Sequence, residues 1–183
     1  MITKKTPEEI QTLGAAGKIL AKILQTLASE ATAGVSTLDL DDRAMQLCEE
    51  YGVQPALLGY HPEFANHPYP AAVCISVNNC VQHGIPTKKV VLEKGDVVNI
   101  DMTISHEGMV VDSGLTVGVG EIDAENKKLI ETTREALALG IKAIKVGGHI
   151  GDISAAIQAH VESRGLSVVR DLCGHGVGYA VHE

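Results

Sequence analysis

Hydrophobic and polar residues alternate between positions 97 and 104, a pattern that predicts a half-buried β-strand. The apolar positions are Val98, Ile100, Met102 and Ile104, and the polar positions between them are Asn99, Asp101 and Thr103. The turn signal His106-Glu107-Gly108 follows, and after it comes a second β-rich run that contains Asp112. The pattern therefore predicts an antiparallel hairpin with a tight, even-numbered loop.

Apolar residues at helical spacing predict four helices. The start of the first is the best defined, because Thr6 can cap it, Pro7 suits its first turn and Glu9 would close a capping box. The helices are expected from Thr6 to Ala28–Ala31, Ser36-Thr37 to Gly52, Asp123 to Lys145 and Gly151 to Arg164, the last ended by Gly165. The side chains expected to face inward on the third helix are Leu129, Ile130, Thr133, Leu137, Ile141 and Ile144. Further short strands are expected at Val73–Val77, Val90–Leu92 and Leu166–Arg170.

The order helix, glycine-bearing turn, helix and strand occurs twice along the chain. Ala33-Gly34-Val35 precedes the second helix as Gly147-Gly148-His149 precedes the fourth. This repetition predicts an α+β fold built from two similar halves in a single domain, 1–183. The first half would cover about 1–122 and a partial second half about 123–183.

The composition argues against several classes of function. At 183 residues and 45% hydrophobic, the chain is long enough to bury a core. Its 23 acidic and 15 basic residues give a net charge of -8, which argues against nucleic acid as the main partner. We expect no membrane span and no signal peptide, because the sequence lacks an apolar run of the necessary length. The four cysteines form no CxxC pair, which indicates free thiols and a cytoplasmic location.

Asp101 and Asp112 are the first candidate site residues. On one face of a hairpin they would lie directly opposite each other, at about 5 Å, or diagonally, at about 7–8 Å. Taken singly, either could be an ordinary solvated carboxylate. Together they call for a shared proton or a cation between them. His175, framed by three glycines, is a candidate third ligand, and oxygen plus imidazole donors suit a borderline divalent metal rather than calcium.

Two other histidines stay open on residue type alone. His83 follows a predicted strand and His182 lies in the last segment, and each could be a site residue or an ordinary loop histidine. The sequence has no GxSxG elbow, phosphate-cradling glycine loop or HExxH helix. Serine-nucleophile, nucleotide and zincin chemistries therefore have no support.

Five segments taken together resemble type I methionine aminopeptidases, in that family's order and at about its spacing. They are Cys74–Asn78, His83–Pro86, Gly95–Asp101, Asp112-Ser113 and Cys173–Gly178. The resemblance covers essentially the whole chain and implies the duplicated pita-bread fold. It also implies two divalent metal ions of the cobalt, manganese, iron or zinc class. The implied activity removes the initiator methionine from nascent polypeptides, by attack of a metal-held hydroxide on the first peptide bond, so the expected substrate is a peptide with N-terminal methionine.

The resemblance also implies roles for single residues. Asp101, Asp112 and His175 match metal ligands, with Asp112 bridging the two ions. His83 matches a histidine that contacts the substrate and assists proton transfer. His182 matches a histidine that hydrogen-bonds the scissile carbonyl. The positions that match the lining of the methionine side-chain pocket are Tyr60, His61, Tyr69 and Cys74.

The chain departs from the family's pattern in places. Family members continue past the position of Glu183 into strands that supply two glutamate ligands, so a second chain that completes the sheet is an expected partner. Residues 62–67 resemble an insertion at the pocket mouth. The substitutions around the site are Val110-Val111 before Asp112, Gly114-Leu115 after Ser113, and Val181 in place of an aromatic residue.

Two other interpretations stay open. One is a catalytically incomplete fragment or a non-catalytic peptide-binding module with this fold, which would show no turnover. The other is an enzyme of the prolidase and aminopeptidase P branch. The segments Cys74–Asn78 and Cys173–Gly176 favour the methionine branch.

Overall fold

The computed structural model describes residues 3–62 and 65–183 and divides into two compact units. One unit comprises Met1–Glu121 with His175–Glu183, and the other comprises Ile122–Gly174. All of the candidate site residues belong to the first unit. Glu63 and Phe64, inside the predicted insertion, lie outside the described residues. The single-domain organisation with halves 1–122 and 123–183 stays a prediction.

Two helices open the first unit, α1 at Pro7–Glu30 and α2 at Thr37–Tyr51. The start of α1 is the predicted capping box: Glu9 N–H donates to Thr6 Oγ1, and Thr6 N–H donates to the Glu9 carboxylate at 2.7 Å. The helix α2 ends at Gly52, whose φ of 65° is the left-handed conformation that glycine adopts without strain. Local sequence signals therefore set the ends of both helices, as predicted.

Four strands form one antiparallel sheet around a central strand. They are β1 at Gln54–Pro55, β2 at Cys74–Val77, β3 at Val97–His106 and β4 at Met109–Gly118. The central strand β3 pairs with β4 along its whole length, and with β2 and β1 along its other edge. The strand expected at Val90–Leu92 is reduced to one bridge, between Val91 and Ser36.

The core lies between this sheet and the two helices. The apolar residues of β3 are fully buried, which confirms the alternation read from the sequence; they are Val98, Ile100, Met102 and Ile104. They pack with helix residues such as Leu20, Ile23 and Leu27 of α1 and Leu40 of α2. The opposite face of β3 carries Asn99, Asp101 and Thr103 and is therefore free to build a polar site.

The second unit contains two helices in contact, α3 at Ala124–Ala143 and α4 at Ile150–Ser163. The inward face predicted for α3 was wrong. The buried residues of α3 are Thr132, Ala136 and Gly140, whereas Leu137 and Ile141 are exposed. Gly140 lets α4 come close, since Ile157 Cδ1 lies 3.0 Å from where a Cβ on Gly140 would be.

The strand expected at Leu166–Arg170 does not form. Among the described residues this segment pairs with no other strand, and an isolated strand leaves its backbone N–H and C=O groups without partners. Instead, Leu166 N–H donates to the carbonyl oxygen of Val161 at 3.2 Å, and Gly165, with φ of 74°, ends α4 as predicted. No helix in the described part of the chain has an apolar stretch long enough to cross a bilayer.

Candidate metal centre

The β3–β4 hairpin places Asp101 and Asp112 diagonally on one face. Its register pairs Thr103 with Asp112 and Asp101 with Gly114. The two aspartates are therefore diagonal neighbours on the same face, two positions apart along the strands. The loop after His106 holds two residues, with φ of 49° and 80°, as in a type I′ turn. The even-numbered loop predicted from the sequence is confirmed, and it puts both carboxylates on the face opposite the apolar core.

Asp101 is poorly placed to carry its charge alone. Burial, then the negative charge of Asp112 and a hydrogen bond with it, raise the pKa of Asp101 to about 6, while His175 acts in the opposite direction. A neighbouring cation would remove both the burial penalty and the repulsion between the carboxylates. The pair therefore has the electrostatic character expected of a cation site.

His175 reaches the same face from the segment 175–183. This segment is held beside β4, because Val110 N–H donates to the carbonyl oxygen of Gly178 at 2.6 Å. His175 Nε2 lies 3.6 Å from Asp112 Oδ2, and its Nδ1 lies 3.0 Å from the carbonyl oxygen of Gly176. If Nδ1–H donates to that carbonyl, Nε2 keeps its lone pair and can bind a metal.

His182 lies directly beside His175. Their ring centroids are 4.2 Å apart, and the His182 Nδ1 is 2.9 Å from the hydroxyl oxygen of Tyr60. Burial lowers the pKa of His182, as do His175 and His83, while Asp112 raises it. The side chain of His182 is therefore a neutral imidazole near neutral pH, held on one side by Tyr60.

His83 lies near His182, since its charge contributes to lowering the pKa of that histidine. Its backbone has φ of 55°, in the left-handed region that few residues with a Cβ adopt. The side chain is exposed. The structure thus brings His83, His182, His175 and the aspartate pair to one region.

The residues predicted to line the methionine pocket differ in their burial and contacts. Cys74 is a Cα partner of Asp101 in the β2–β3 register and is buried, and burial raises the pKa of its thiol to about 11. The Tyr69 hydroxyl lies 3.1 Å from the carbonyl oxygen of Gly84 and close to the Cys74 thiol. His61 Nε2 contacts the carbonyl oxygen of Ala65 at 2.9 Å, next to the residues outside the description. Tyr60 is already engaged with His182.

The donor set suits a divalent ion without forming a coordination shell. Within 3–62 and 65–183, no three or more His, Cys, Asp or Glu side chains are arranged closely enough to hold an ion as they stand. Two ligands of one ion with bonds of about 2.1 Å lie roughly 3–3.5 Å apart, close to the 3.6 Å between Asp112 Oδ2 and His175 Nε2. A small contraction would bring these two atoms to coordinating distance, so the residues fit a metal.

Two features of the site were not assigned from the sequence. Thr103 Oγ1 donates to Asp112 Oδ1 at 3.0 Å, and its position on the polar face of β3 was the signal for it. Gly114 lies opposite Asp101, and a Cβ there would come within 3.2 Å of the Ile100 carbonyl oxygen and 3.4 Å of Asp101 Cβ. Only the register reveals that contact.

A family profile described as metallopeptidase family M24 matches residues 11–183. The chain belongs to metallopeptidase family M24. Within this family it is 43% identical over 174 residues to methionine aminopeptidase B of Synechocystis, covering 95% of this chain and 63% of that protein. It is 40% identical over 187 residues to the methionine aminopeptidase of Escherichia coli, covering 100% of this chain and 67% of that protein. The resemblance drawn from the five segments is confirmed.

A solved structure of a methionine aminopeptidase agrees with this assignment. Methionine aminopeptidase from Thermotoga maritima superposes with a TM-score of 0.94 at 39% identity, covering 100% of this chain and 71% of that one. Prolidase from Pyrococcus furiosus reaches a TM-score of 0.79 at 23% identity, a likeness of fold alone. The predicted α+β pita-bread fold is confirmed, and the methionine branch is favoured over the prolidase branch.

The chain spans 63% of the length of the Synechocystis relative and 67% of the Escherichia coli relative. Membership of this metallopeptidase family implies the use of divalent metal, as predicted.

Proposed function

We propose that this chain carries the chemistry of a metal-dependent methionine aminopeptidase, which hydrolyses the peptide bond after an N-terminal methionine. The observation that supports this most strongly is the arrangement of Asp101, Asp112 and His175 on one face of the first unit. Family membership and the methionine aminopeptidase relatives supply the reaction class. The substrate in this proposal is a peptide with a free N-terminal methionine.

Asp101, Asp112 and His175 would hold the metal, with Asp112 shared between two ions of the cobalt, manganese, iron or zinc class. The mixed carboxylate and imidazole donors suit such ions. When bound, divalent ions would act as Lewis acids on the peptide carbonyl and make water acidic enough to attack near neutral pH. Thr103 orients Asp112 through the hydrogen bond to Oδ1, which leaves Oδ2 directed towards His175.

His182 would donate a hydrogen bond to the scissile carbonyl oxygen. If the Tyr60 hydroxyl donates to Nδ1, the proton of the neutral imidazole sits on Nε2, and Nε2–H is the remaining donor. Such a donor stabilises the negative charge that develops on the oxygen and is typically worth a factor of about 100 or more in rate. His83, nearby, would contact the substrate and assist proton transfer.

The methionine side chain would bind near Cys74 and Tyr69, with Tyr60 and His61 towards the mouth. The Cys74 thiol is neutral, because its pKa is about 11, and so presents an apolar, polarisable surface. A thioether side chain is well matched to such a surface.

Turnover of a short Met-Gly-Met-type peptide tests the proposal, with cobalt, manganese or ferrous iron added in turn. We expect metal-dependent release of methionine that a chelator abolishes and that Asp112→Asn lowers by at least about 100-fold. Asp42→Asn is the matched control, since it removes an exposed carboxylate of α2. A folded protein that releases no methionine with any of these metals contradicts the proposal and favours a peptide-binding module.

Two further predictions accompany this proposal. A second chain that completes the sheet is a proposed partner, and sedimentation of the protein at several concentrations would detect self-association. The cytoplasm is the proposed location, consistent with the four free cysteines.

A further inference from the structure

His83 has an unusual backbone that its surroundings must hold in place. Among the described residues, three that are not glycine have positive φ: Asn78 at 51°, His83 at 55° and Glu107 at 49°. Glu107 lies in the hairpin loop, where the turn requires this conformation, and asparagine adopts it readily. Histidine adopts this conformation more often than most residues with a Cβ, but it still costs free energy, so interactions nearby must hold His83 in it.

The residue after His83 is fixed from three sides. Gly84 N–H donates to Ser76 Oγ at 3.1 Å. The carbonyl oxygen of Gly84 accepts from Ile75 N–H at 2.9 Å and from the Tyr69 hydroxyl at 3.1 Å. Ser76 is only 2% exposed, so its hydroxyl has almost no water to bind instead. Gly84 is therefore joined to strand β2 and to Tyr69 by well-protected hydrogen bonds.

Strand β2 also approaches Gly84 too closely for any other residue. A Cβ on Gly84 would overlap the carbonyl oxygen of Ile75 and lie 2.8 Å from its carbonyl carbon. Both of these atoms belong to the backbone of the sheet and cannot rotate away. Any side chain at position 84 would push the 83–84 segment off β2.

The other end of the loop is fixed as well. Asn78 Oδ1 accepts from Val97 N–H at 2.9 Å, and Asn78 Nδ2 donates to Asp96 Oδ1 at 2.8 Å. The segment 78–84 is thus attached to the start of β3 at one end and to β2 at the other. His83 lies inside it, one residue from the attachment at Gly84.

We propose that Ser76 and Gly84 are positioning residues. They hold the backbone of His83 in its left-handed conformation and thereby place its side chain beside His182 and the aspartate pair. The consequence for turnover rests on the proposed function above, whereas the locking of the backbone does not. Ser76 acts by accepting the Gly84 N–H, and Gly84 acts by having no Cβ between it and Ile75.

Nuclear magnetic resonance of the folded chain tests the locking directly, using Ser76→Ala. We expect the Gly84 amide to exchange with solvent about tenfold faster, since it loses its partner. The backbone chemical shifts of His83 should move away from those typical of the left-handed conformation. Ser76→Thr keeps the hydroxyl and should restore protection. Ser105→Ala, which removes a hydroxyl from β3, is the control and should change neither signal.

Gly84→Ala is a second, independent variant in case Ser76→Ala does not fold. The added Cβ should displace residue 84, speed the exchange of the Ile75 amide and shift the His83 signals. The locking is overturned if folded Ser76→Ala keeps the protection of the Gly84 amide, if folded Gly84→Ala keeps that of the Ile75 amide, or if either leaves the His83 signals unchanged.

Kinetic measurements then test whether this locking places the His83 side chain for catalysis. We expect Ser76→Ala to lower kcat by about 10- to 100-fold, towards the value of His83→Ala, with KM and metal affinity little changed. Lost Gly84 protection with an unchanged kcat would overturn the positioning role while leaving the proposed function intact. If the unaltered chain releases no methionine, the proposed function fails, and the exchange data still decide the locking.

Discussion

Thr103 Oγ1 donates a 3.0 Å hydrogen bond to Asp112 Oδ1 across the β3–β4 hairpin. The two residues are Cα partners in the register, and Thr103 is only 2% exposed, so its hydroxyl has little access to water. We expect Thr103→Val, which keeps the shape and removes the donor, to weaken manganese binding by about 10- to 100-fold in calorimetry.

Thr133→Val is the matched control for this variant, because Thr133 lies exposed on α3 and its hydroxyl donates only to the helix carbonyl of Leu129. It should leave manganese affinity unchanged. An affinity in Thr103→Val equal to that of the control would mean that the hydroxyl does not orient the carboxylate.

A buried carboxylate from α2 holds the two residues that precede strand β2. Asp41 Oδ1 accepts from the N–H groups of Ala72 at 2.8 Å and Val73 at 3.2 Å. Asp41→Ala leaves both buried donors unpaired, and we expect it to lower the free energy of unfolding in urea by about 2–4 kcal/mol. Asp41→Asn keeps an acceptor oxygen and should cost clearly less; equal losses in the two variants would contradict this explanation.

The same carboxylate predicts a pH dependence of stability. Burial raises the pKa of Asp41 above its value of 3.8 in the unfolded chain, although the two backbone N–H groups act against this. The folded state therefore binds the proton more tightly. The contribution of this group to stability is fully present below the unfolded pKa and is lost as the pH rises through the folded pKa.

Asp41→Asn removes this titration. The stability of the unaltered chain relative to Asp41→Asn should thus fall as the pH is raised from about 3 to about 7 in urea unfolding experiments. If the difference in stability between the two proteins stays constant or grows with pH, burial does not raise the pKa of Asp41.

The four cysteines should divide into two reactivity classes. Cys80 and Cys173 are exposed, whereas Cys48 and Cys74 are buried and burial raises the pKa of each to about 11. Because the thiolate is the reactive form, we expect iodoacetamide at about pH 8 to label the exposed pair first. Peptide mass spectrometry would show the order, and early labelling of Cys74 would contradict the buried position beside Asp101.

The hairpin loop offers a stabilising substitution. Glu107 has φ of 49° and precedes Gly108 at 80°, the geometry in which Asn-Gly is the preferred pair. We expect Glu107→Asn to raise the free energy of unfolding by about 0.5–1 kcal/mol. Glu107→Ala, which removes the same charge without favouring positive φ, should not stabilise. A gain in both variants would point to charge rather than backbone conformation.

The parts of the fold that local signals determine could be predicted from the sequence. The capping box of α1, the hairpin loop and the buried face of β3 depend on residues within a few positions of each other. The inward face of α3 could not be predicted from hydrophobic periodicity, because its buried residues are Thr132, Ala136 and Gly140, whereas Leu137 and Ile141 are exposed. The missing strand at Leu166–Arg170 likewise depends on the absence, within the described residues, of a pairing partner.

The same division applies to the candidate site. Alternation and loop length were enough to place Asp101 and Asp112 on one face. The contact of Tyr60 with His182 joins residues 122 positions apart, so no local pattern reveals it. The locking of His83 depends on the approach of Gly84 to β2, which only the tertiary structure shows.

Calorimetric titration of manganese into the unaltered chain and into Asp112→Asn is the most direct test of the metal centre. The arrangement of Asp101, Asp112 and His175 predicts binding in the unaltered chain and an affinity at least about 100-fold weaker in the variant. Equal affinities in the two proteins, with both folded, would contradict the central claim that these three side chains hold the metal.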